Sequence, residues 1–304
     1  MTAKIILNPY SGRGKAARAL PKVEAGMQRA GVDFELHVTR EPLHAVELAS
    51  SAVEAGHSPI VAAGGDGLIG EVLNGVLRTV EPGAAPPLAV IPLGTANDLV
   101  NNLRLPNSID AAAAAVARGN TRTIDLGRVN GWYFANNSAV GLEPVVTLYN
   151  IQMVRLRGVL RYLVAALRAI AAGHAYRMQL TWDDGEYEGP VSLVSVCNNP
   201  VTGGLFRMAP AADPTDGQLT FLYGFAPSRL KMLSLLPRTI TGSHVEDPAL
   251  HQHHTKRLQI RADTPTPLQV DGEIRGQELE QVSYEILPGS LTLVDWSEKS
   301  SQDS

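Results

Sequence analysis

The sequence predicts an α/β N-terminal domain with a parallel sheet and glycine-rich turns, followed by a β-rich domain with antiparallel, sandwich-like strands. Over residues 1–125, short apolar runs alternate with longer helical patterns, as in βαβ units. Three glycine turns follow apolar runs in this half. Over residues 126–296, short apolar runs lie instead between glycine, proline, aspartate and asparagine turns. The polar residues 297–304 are expected to form a disordered tail.

Composition allows a sizeable core and excludes several classes of protein. Of the 304 residues, 44% are hydrophobic and 18% are charged, and the formal net charge is −4. Since no long block of like charges occurs, the sequence does not predict a nucleic-acid-binding protein. The single cysteine, Cys197, excludes a disulfide within the chain and a four-cysteine zinc site. Its apolar surroundings predict a buried structural thiol.

No segment of the sequence predicts a membrane span or a signal peptide. The apolar part of the N-terminus is too short for a signal peptide, and no run of about 18 uncharged apolar residues occurs. The nearest approach, residues 158–173, is interrupted by Arg161 and Arg168 and is typical of an amphipathic helix. We therefore expect a cytoplasmic protein.

In the first domain the predicted elements alternate regularly. Strands are expected at "KIIL", "FELHV", "IVAAG" and "LAVI". Helices are expected over residues 15–30, 44–56, 68–78, 96–103 and 108–118. Pro21, inside the first helix, predicts a kink there or a later helix start.

The second domain is predicted to consist of strands with two helices inserted. Strands are expected within "WYFANNSAV", "YRMQLTW", "PVSLVSV", "QLTFLYGF", "RLQIRA", "LQVDGEI" and "LTLVDW". The "DDG" at 183–185 lies between two of these runs and predicts a hairpin. The inserted helices are expected over residues 150–172 and 228–241.

Three turns leave the carboxyl ends of the predicted parallel strands. They are "NPYSGRGK" (8–15), "GGDG" (64–67) and "PLGTAND" (92–98). In open parallel sheets, ligands bind outside these strand ends. Glycines let backbone N–H groups converge on phosphate oxygens, and a helix N-terminus adds positive potential. Three such turns in one sheet therefore predict a phosphate-binding site.

Asp66, inside "GGDG", has two interpretations at this point. It could be the N-cap of the following helix. It could instead lie beside a nucleotide phosphate, with Mg²⁺ or water between the two negative charges. The second interpretation accounts for a phosphate-binding turn without the P-loop lysine, since no G-x-x-x-x-G-K-[ST] occurs in the chain.

The first turn also contains a rival motif for a different cofactor. Residues 12–17, "GRGKAA", match G-x-G-x-x-A, and Glu35 follows about 20 residues later, as in dinucleotide-binding proteins. Residues 8–11 separate these glycines from the strand, whereas that motif requires a direct junction. NAD binding is therefore the weaker alternative.

Together these stretches resemble the diacylglycerol kinase catalytic family, in particular its soluble bacterial lipid kinases, and more distantly sphingosine and ceramide kinases. The resemblance rests on "NPYSG", "GGDG…EVLNG" and "PLGTANDL" in the first half, and on "GGLFRMAPAADPTDGQL" (203–219) and "VDGE" (270–273) in the second. It implies a kinase that uses ATP and Mg²⁺ to phosphorylate a lipid hydroxyl, on a diacylglycerol-like or sphingoid substrate. It also implies an active site in the cleft between the two domains.

The resemblance further implies which residues bind the nucleotide and the metal. The nucleotide-contacting positions would be Asn8, Pro9, Tyr10, Ser11, Gly12, Thr39, Gly65, Asp66, Gly67, Leu68, Ile69, Gly70, Glu71, Thr95, Asn97 and Asp98. A structural Mg²⁺ would be held by the Asp216 side chain and the backbone carbonyls of Asp213 and Gln218. Asp66 and Asp125 would be joined to this ion through water.

Glu273 matches the general base of the family, and with Asp66 it forms the expected pair of catalytic residues. In phosphoryl transfer the protein mainly positions groups and stabilises charge, so a carboxylate within reach of the attacking hydroxyl completes the mechanism. The chain departs from the family at Leu68, where most bacterial members have threonine. Loss of that hydroxyl would weaken nucleotide binding.

Two other functions stay open at this point. NAD kinases share a GGDG turn and a related fold, although "NPYSG" and "VDGE" favour the lipid branch. The other alternative is a nucleotide-binding regulator that has lost catalysis, which Leu68 suggests and which Glu273, Asp216 and Asp98 oppose.

The expected partner is a lipid substrate at a membrane surface. In the absence of a spanning segment, contact would be peripheral, at the inner membrane face. Arginines near the apolar helical pattern could meet anionic headgroups, and they are Arg155, Arg157, Arg161 and Arg168. No nucleic-acid partner is expected, and the chain could form a homodimer.

Overall fold

The computed structural model describes residues 1–153, 158–173 and 175–295. Arg155, Arg157 and the expected tail lie outside these residues. The chain divides into two compact units. The first consists of Met1–Ile124 together with the segment that begins at Gly289, and the second consists of Asp125–Pro288.

The first unit alternates strands and helices in the predicted order. Its strands are β1 (Ala3–Leu7), β2 (Phe34–Val38), β3 (Ile60–Gly64) and β4 (Leu88–Pro92). Its helices are α1 (Ser11–Arg29), α2 (His44–Glu54), α3 (Asp66–Val76), α4 (Asp98–Leu103) and α5 (Ile109–Arg118). The strands pair in parallel in the order β2-β1-β3-β4. The carboxyl ends of all four strands therefore lie at one edge of the sheet.

The central strands of this unit are apolar except for Lys4, because helices cover both of their faces. β1 and β3 are buried at every position, which is typical of parallel strands. Apolar side chains of α1 and α5, including Met27 and Val116, join them in one core. On α3, Gly75 permits a close approach to α2, since a Cβ at this position would lie 2.3 Å from the carbonyl oxygen of Val46.

Helix α1 does not start later at Pro21, since the backbone angles around this residue are helical. The non-helical angles within α1 fall instead at Gly12, Arg13 and Gly14, where φ is 57°, 61° and 79°. Pro21 removes one hydrogen bond to the carbonyl of Ala17. Both residues are exposed, so water can satisfy that carbonyl.

The second unit is built mainly of antiparallel strands. Along the chain they are β5 (Thr121–Val129), β6 (Trp132–Phe134), β7 (Asn137–Gly141), β8 (Tyr176–Trp182), β9 (Gly185–Val191), β10 (Leu193–Cys197), β11 (Leu219–Gly224), β12 (Leu250–Thr255), β13 (Arg257–Val270) and β14 (Glu273–Val294). β5 begins in the first unit and β14 ends in it. Strands β12-β11-β10-β7-β13-β14 are neighbours in that order, β8 pairs with β13, and β9 pairs with β8.

The predicted hairpin is confirmed. Trp182 pairs with Gly185, so Asp183 and Asp184 form a two-residue turn. The sheet buries an apolar core that includes Phe134, Phe221 and Tyr284. Cys197 is also buried, as predicted.

The helices of this unit are α6 (Leu142–Gln152), α7 (Gly158–Ala172), α8 (Arg229–Leu235) and α9 (Arg238–Thr241), followed by a 3₁₀ helix at Ser243–Glu246. The single helix expected over 150–172 is wrong, since α6 starts at Leu142. Pro144 is compatible with this start because first-turn N–H groups have no partner within a helix. The helix expected over 228–241 is two helices, and Pro237 is the N-cap of the second. None of the helices within the described ranges is long and apolar enough to cross a bilayer.

Candidate active site

Three glycine turns of the first unit touch at the carboxyl edge of its sheet. The Ser11 hydroxyl accepts a hydrogen bond from the N–H of Gly65 at 3.3 Å. A Cβ on Gly12 would lie 2.5 Å from the carbonyl oxygen of Leu93, and a Cβ on Gly94 would lie 2.5 Å from the Cα of Gly65. Glycine is therefore required where the turns meet, because any side chain would push them apart.

The first turn is shaped by Asn8 and by a run of left-handed residues. The Asn8 side-chain oxygen accepts from the N–H of Tyr10 at 2.9 Å, and the Asn8 carbonyl accepts from the N–H of Ser11 at 3.1 Å. Positive φ angles follow at residues 12–14. Successive N–H groups in such a turn form a concave surface that suits an anion. The ring of Tyr10 is exposed beside it.

The second turn leads directly into α3, whose N-cap is Gly65. The N–H groups of the first helical turn have no partners within the helix, and the helix dipole makes this end positive. Leu68 and Ile69 are buried, and the Leu68 side chain packs so closely on Gly64 that a Cβ there would lie 2.5 Å from it. Leu68 and Ile69, two of the predicted nucleotide contacts, therefore direct their side chains into the core. A nucleotide at the turn would contact their backbone atoms. Next along α3, Gly70 is buried and Glu71 is half-buried.

Asp66 does not cap its own helix, because its carboxylate is directed at the next turn. Oδ1 accepts a hydrogen bond from the N–H of Leu99 at 3.3 Å, near the start of α4. Burial raises the pKa of the Asp66 carboxyl, and the backbone N–H groups of Leu99, of Asp66 itself, and of Asp98 and Asn97 oppose that rise. Asp66 thus joins the second turn to the third and places a negative charge at the N-terminus of α4.

The remaining predicted nucleotide contacts lie at the same edge. Thr39 follows β2 and is buried, with its N–H bound to the carbonyl that ends β1 at 2.8 Å. Thr95 is exposed in the third turn. The Asn97 side-chain oxygen accepts from the N–H of Gly94 at 3.0 Å, and the buried Asp98 begins α4.

In the second unit, Glu273 lies exposed at the start of β14. It pairs with Val270 across a two-residue turn. The turn residues Asp271 and Gly272 have φ angles of 46° and 83°, as a type I′ turn requires. The Asp271 carboxylate accepts backbone N–H groups from Ala135, Asn136 and Asn137 at 3.0, 2.9 and 3.0 Å. Glu273 is therefore carried on a firmly held turn.

The loop that contains the predicted metal ligands is bound to Asp125. Oδ2 of Asp125 accepts the N–H of Gly217 at 2.7 Å, and Oδ1 of Asp216 accepts the N–H of Gln218 at 2.9 Å. Burial raises the pKa of the Asp216 carboxyl, and the charges of Asp213 and Asp125 raise it further. A loop with such neighbouring negative charges suits an oxygen-seeking cation.

The predicted metal site is not a cluster of side chains. In the part of the chain that the structure describes, no group of three or more His, Cys, Asp or Glu side chains could hold a metal ion. The expected ligand set is different, because it combines the Asp216 carboxylate with the carbonyls of Asp213 and Gln218. That site stays a prediction.

Sequence reasoning did not single out two residues that stand out in the structure. Gly94 had a visible signal, since it lies in one of the three turns. Glu143, on α6 of the second unit, is 9% exposed, and its Oε2 accepts from the Asn137 side chain at 3.3 Å. Burial raises the pKa of Glu143 to about 7, against hydrogen bonds from Ser195 and Asn137. The sequence pattern that could have identified Glu143 is a single acidic residue within the apolar stretch "SAVGLEPVV".

Replacing Glu143 with glutamine should change how stability depends on pH. The folded-state pKa of about 7 lies above the ordinary value of 4.5, so the folded protein holds the extra proton. The carboxyl's contribution to stability is therefore complete below about pH 4.5 and lost as the pH rises through about 7. We expect Glu143→Gln to be more stable than the native protein at pH 8 by about 2 kcal/mol, with a smaller difference at pH 5.

Urea denaturation at pH 5, 6, 7 and 8 measures this effect. The matched control is Glu186→Gln, because Glu186 is exposed, and its curve should follow that of the native protein. Parallel stability curves for Glu143→Gln and the native protein would contradict the assignment of a raised pKa.

Comparison with known proteins identifies both halves of the chain. Residues 2–129 match the family model described as the diacylglycerol kinase catalytic domain. Residues 137–295 match the model described as the YegS C-terminal NAD kinase beta sandwich-like domain. The diacylglycerol kinase of Staphylococcus saprophyticus is 28% identical over 276 residues, which cover 90% of each chain. That of Staphylococcus aureus strain MRSA252 is 27% identical over 276 residues, covering 90% of this chain and 87% of that protein.

Solved structures share the fold. A crystal structure of a diacylglycerol kinase from Bacillus anthracis str. Sterne has a TM-score of 0.74 at 21% identity, over 97% of this chain and 96% of that chain. A second structure from the same strain has a TM-score of 0.79 at 24% identity, over 97% of both chains. Together with the two family models, these likenesses confirm the predicted fold class. The chain therefore belongs to the family that joins a diacylglycerol kinase catalytic domain to a YegS C-terminal NAD kinase beta sandwich-like domain.

Proposed function

We propose that this chain is an ATP-dependent lipid kinase, a phosphotransferase that acts on a lipid hydroxyl. The observation that carries the proposal is the mutual contact of three glycine turns at the carboxyl edge of a parallel sheet. Two of these turns lead into the helices α3 and α4. N–H groups of such turns and helix N-termini suit the phosphates of a nucleotide. The names of the curated relatives support the same activity.

The proposed roles divide between the two units. The turns of the first unit bind ATP, and the Asp66 carboxylate lies beside the phosphates with Mg²⁺ or water between the two negative charges. In the second unit, Asp216 with the carbonyls of Asp213 and Gln218 holds Mg²⁺. When bound, this ion would offset the neighbouring negative charges of Asp213 and Asp125, which raise the pKa of Asp216 in addition to burial, the largest cause. Glu273 accepts the proton of the lipid hydroxyl.

The decisive experiment is transfer of labelled phosphate from ATP to a panel of lipids in mixed micelles. Diacylglycerol, a sphingoid base, ceramide and phosphatidylglycerol form the panel, and NAD is included because the second family model carries the NAD kinase name. Phosphorylation of at least one lipid, and none of NAD, is the expected result. Label on NAD alone would identify a NAD kinase, and no label on any acceptor would favour a regulator without catalysis.

Contact with the membrane is proposed to be peripheral and to use α7 and α8. Leu160 and Leu167, seven residues apart on α7, are 58% and 46% exposed, and Leu230 on α8 is 79% exposed. Arg161 and Arg168 follow the two α7 leucines in the sequence. Exposed apolar side chains near cations suit an anionic lipid surface.

The double variant Leu160→Ser/Leu167→Ser should therefore bind anionic vesicles about tenfold more weakly than the native protein, because less apolar surface enters the headgroup layer. Co-sedimentation with phosphatidylglycerol vesicles at low and high salt measures this, and salt should weaken binding of the native protein. Ile240→Ser changes another exposed apolar residue of the second unit and serves as the control. Equal sedimentation of the double variant and the control would exclude this surface.

A further inference from the structure

One buried asparagine, Asn198, connects the loop of residues 213–218 to the turn that carries Glu273. Asn198 is completely buried, at 0% exposure. Its Nδ2 donates to the carbonyl of Asp125 at 2.8 Å and to the carbonyl of Ala135 at 3.0 Å. Both partners are carbonyl oxygens, which only accept hydrogen bonds, so the nitrogen of the side-chain amide must face them.

The Asp125 end of this connection is fixed to the loop. The N–H of Asp125 donates to the carbonyl of Pro214 at 2.7 Å, and its Oδ2 accepts from the N–H of Gly217 at 2.7 Å. The carbonyl that Asn198 binds therefore belongs to a residue held by the loop through both its backbone and its side chain.

The Ala135 end of the connection leads to the turn. The N–H of Ala135 donates to Oδ2 of Asp271 at 3.0 Å, and the N–H of Asp271 donates to the carbonyl of Asn137 at 2.8 Å. The backbone N–H of Asn198 also donates to the carbonyl of Asn136 at 2.8 Å. Residues 135–137 thus lie between Asn198 and Asp271, which is two residues before Glu273.

The two donors are what the Asn198 side chain contributes. Its Oδ1 is buried and has no hydrogen-bond partner within the described residues. Buried polar groups in folded proteins are nearly always paired. An apolar side chain at this position would fill the space, but the carbonyls of Asp125 and Ala135 would each lose a donor.

We propose that Asn198 is a positioning residue, which holds the turn of Glu273 in place relative to Asp125 and the loop of residues 213–218. The inference rests on the proposed function, because it assigns Asn198 an effect on catalysis through Glu273. The hydrogen-bond connection itself is a property of the second unit, and it is measured without ATP or lipid.

Asn198→Leu removes both donors, and Asn199→Leu is the matched control. Asn199 is also buried, at 2% exposure, and its Nδ2 donates to the carbonyl of Ala135 at 2.8 Å and to Oδ1 of Asn136 at 3.5 Å. In either variant the other asparagine still binds the carbonyl of Ala135. Only Asn198→Leu takes a donor from Asp125, so comparison of the two variants isolates that link.

We expect Asn198→Leu to lower kcat for the preferred lipid by about 10- to 100-fold, because a misplacement of about 1 Å can have an effect of that size. The KM for lipid and the equilibrium binding of ATP should each change by less than about twofold, since the variant affects the turn and not the binding of either substrate. Asn199→Leu should lower kcat by less than about threefold, because Asn198 keeps both of its bonds.

A double-mutant cycle with Glu273→Gln separates positioning from a general loss of structure. If Asn198 acts through Glu273, then Asn198→Leu should lower the residual kcat of Glu273→Gln by less than about threefold. A structural defect would instead lower kcat by the same factor in both backgrounds. That result would overturn the proposal, and so would an effect below about threefold for Glu273→Gln itself.

Amide hydrogen exchange followed by mass spectrometry measures the connection directly. Exchange over residues 135–137 should be about tenfold faster in Asn198→Leu than in the native protein, whereas exchange over residues 60–64 of the first unit should be unchanged. Asn198→Ala removes the same donors without adding volume, and it replaces the leucine variant if that variant does not fold.

The proposal is overturned if exchange over residues 135–137 is unchanged in the Asn198 variant, or if Asn198→Leu and Asn199→Leu lose kcat equally. If the labelled-ATP panel shows no phosphorylated lipid, the proposed function fails, and the exchange measurement alone decides whether Asn198 holds the turn. The two proposals therefore fail separately.

Discussion

Glu273→Gln is expected to lower kcat for lipid phosphorylation by about 10²–10⁴-fold, the range that loss of a general base produces. Glutamine keeps the shape and the hydrogen-bonding capacity of the side chain, but it cannot take the proton from the attacking hydroxyl. The turn that carries the residue is held by Asp271 and not by Glu273, so the fold should be unaffected. ATP binding should barely change, because the glycine turns proposed to bind ATP belong to the first unit.

The measurement is kcat for the preferred lipid of the panel, together with equilibrium binding of ATP to the same variant. Glu278→Gln is the matched control, since Glu278 is an exposed glutamate on the same strand. A loss below about threefold in Glu273→Gln would mean that another group is the base. Asp271 would be the next residue to test, although its carboxylate already accepts three backbone N–H groups, which favours a positioning role.

Asp66→Asn is expected to abolish phosphate transfer, with a loss of at least about 10³-fold, at the upper end of what removing one preorganised electrostatic group costs. The asparagine side-chain oxygen can still accept from the N–H of Leu99, so the link between the second and third turns should persist. Because burial raises the pKa of Asp66, the ionised carboxylate is a cost to the folded state at neutral pH. The variant should therefore melt no lower than the native protein.

Thermal melting and kcat are measured on the same preparation of Asp66→Asn. Asp110→Asn is the control, because Asp110 is exposed and pairs with Arg29 at the surface of the first unit. Full activity in an Asp66→Asn protein with a native melting temperature would refute the catalytic assignment. A large fall in melting temperature would instead assign Asp66 a structural role.

The order of the helices and strands could be predicted from the sequence wherever an element has its own pattern of apolar residues. β1 and β3 are runs of five buried residues, and apolar periodicity marks the helices between the strands. β12 was missed because "LHQHHT" is polar, and among the described residues the strand pairs with β11 alone. The start of α6 was missed, although the first turn of a helix tolerates a proline such as Pro144.

The candidate site could be predicted in part for the same reason. The three glycine turns are local patterns, and parallel strands bring their carboxyl ends to one edge. The direction of the Asp66 carboxylate could not be predicted, because it depends on where α4 begins in space. The burial of Leu68 against Gly64 is likewise a matter of packing. Such contacts join residues that are far apart in the sequence and become neighbours when the chain folds.

Strand β14 has a consequence for how the protein is made. It is one strand of 22 residues that begins at Glu273 in the second unit, and near its end Leu293 pairs with Leu88 of β4. The N–H of Asp295, just beyond it, is bound to the carbonyl of Asn120 at 2.8 Å. Translation runs from the N-terminus, so the ribosome releases β4 long before the residues that complete its edge. The unit synthesised first is thus completed last. A nascent chain halted before Gly289 would carry β4 as an unpaired edge strand. Exposed edge strands of this kind promote aggregation of incompletely folded chains.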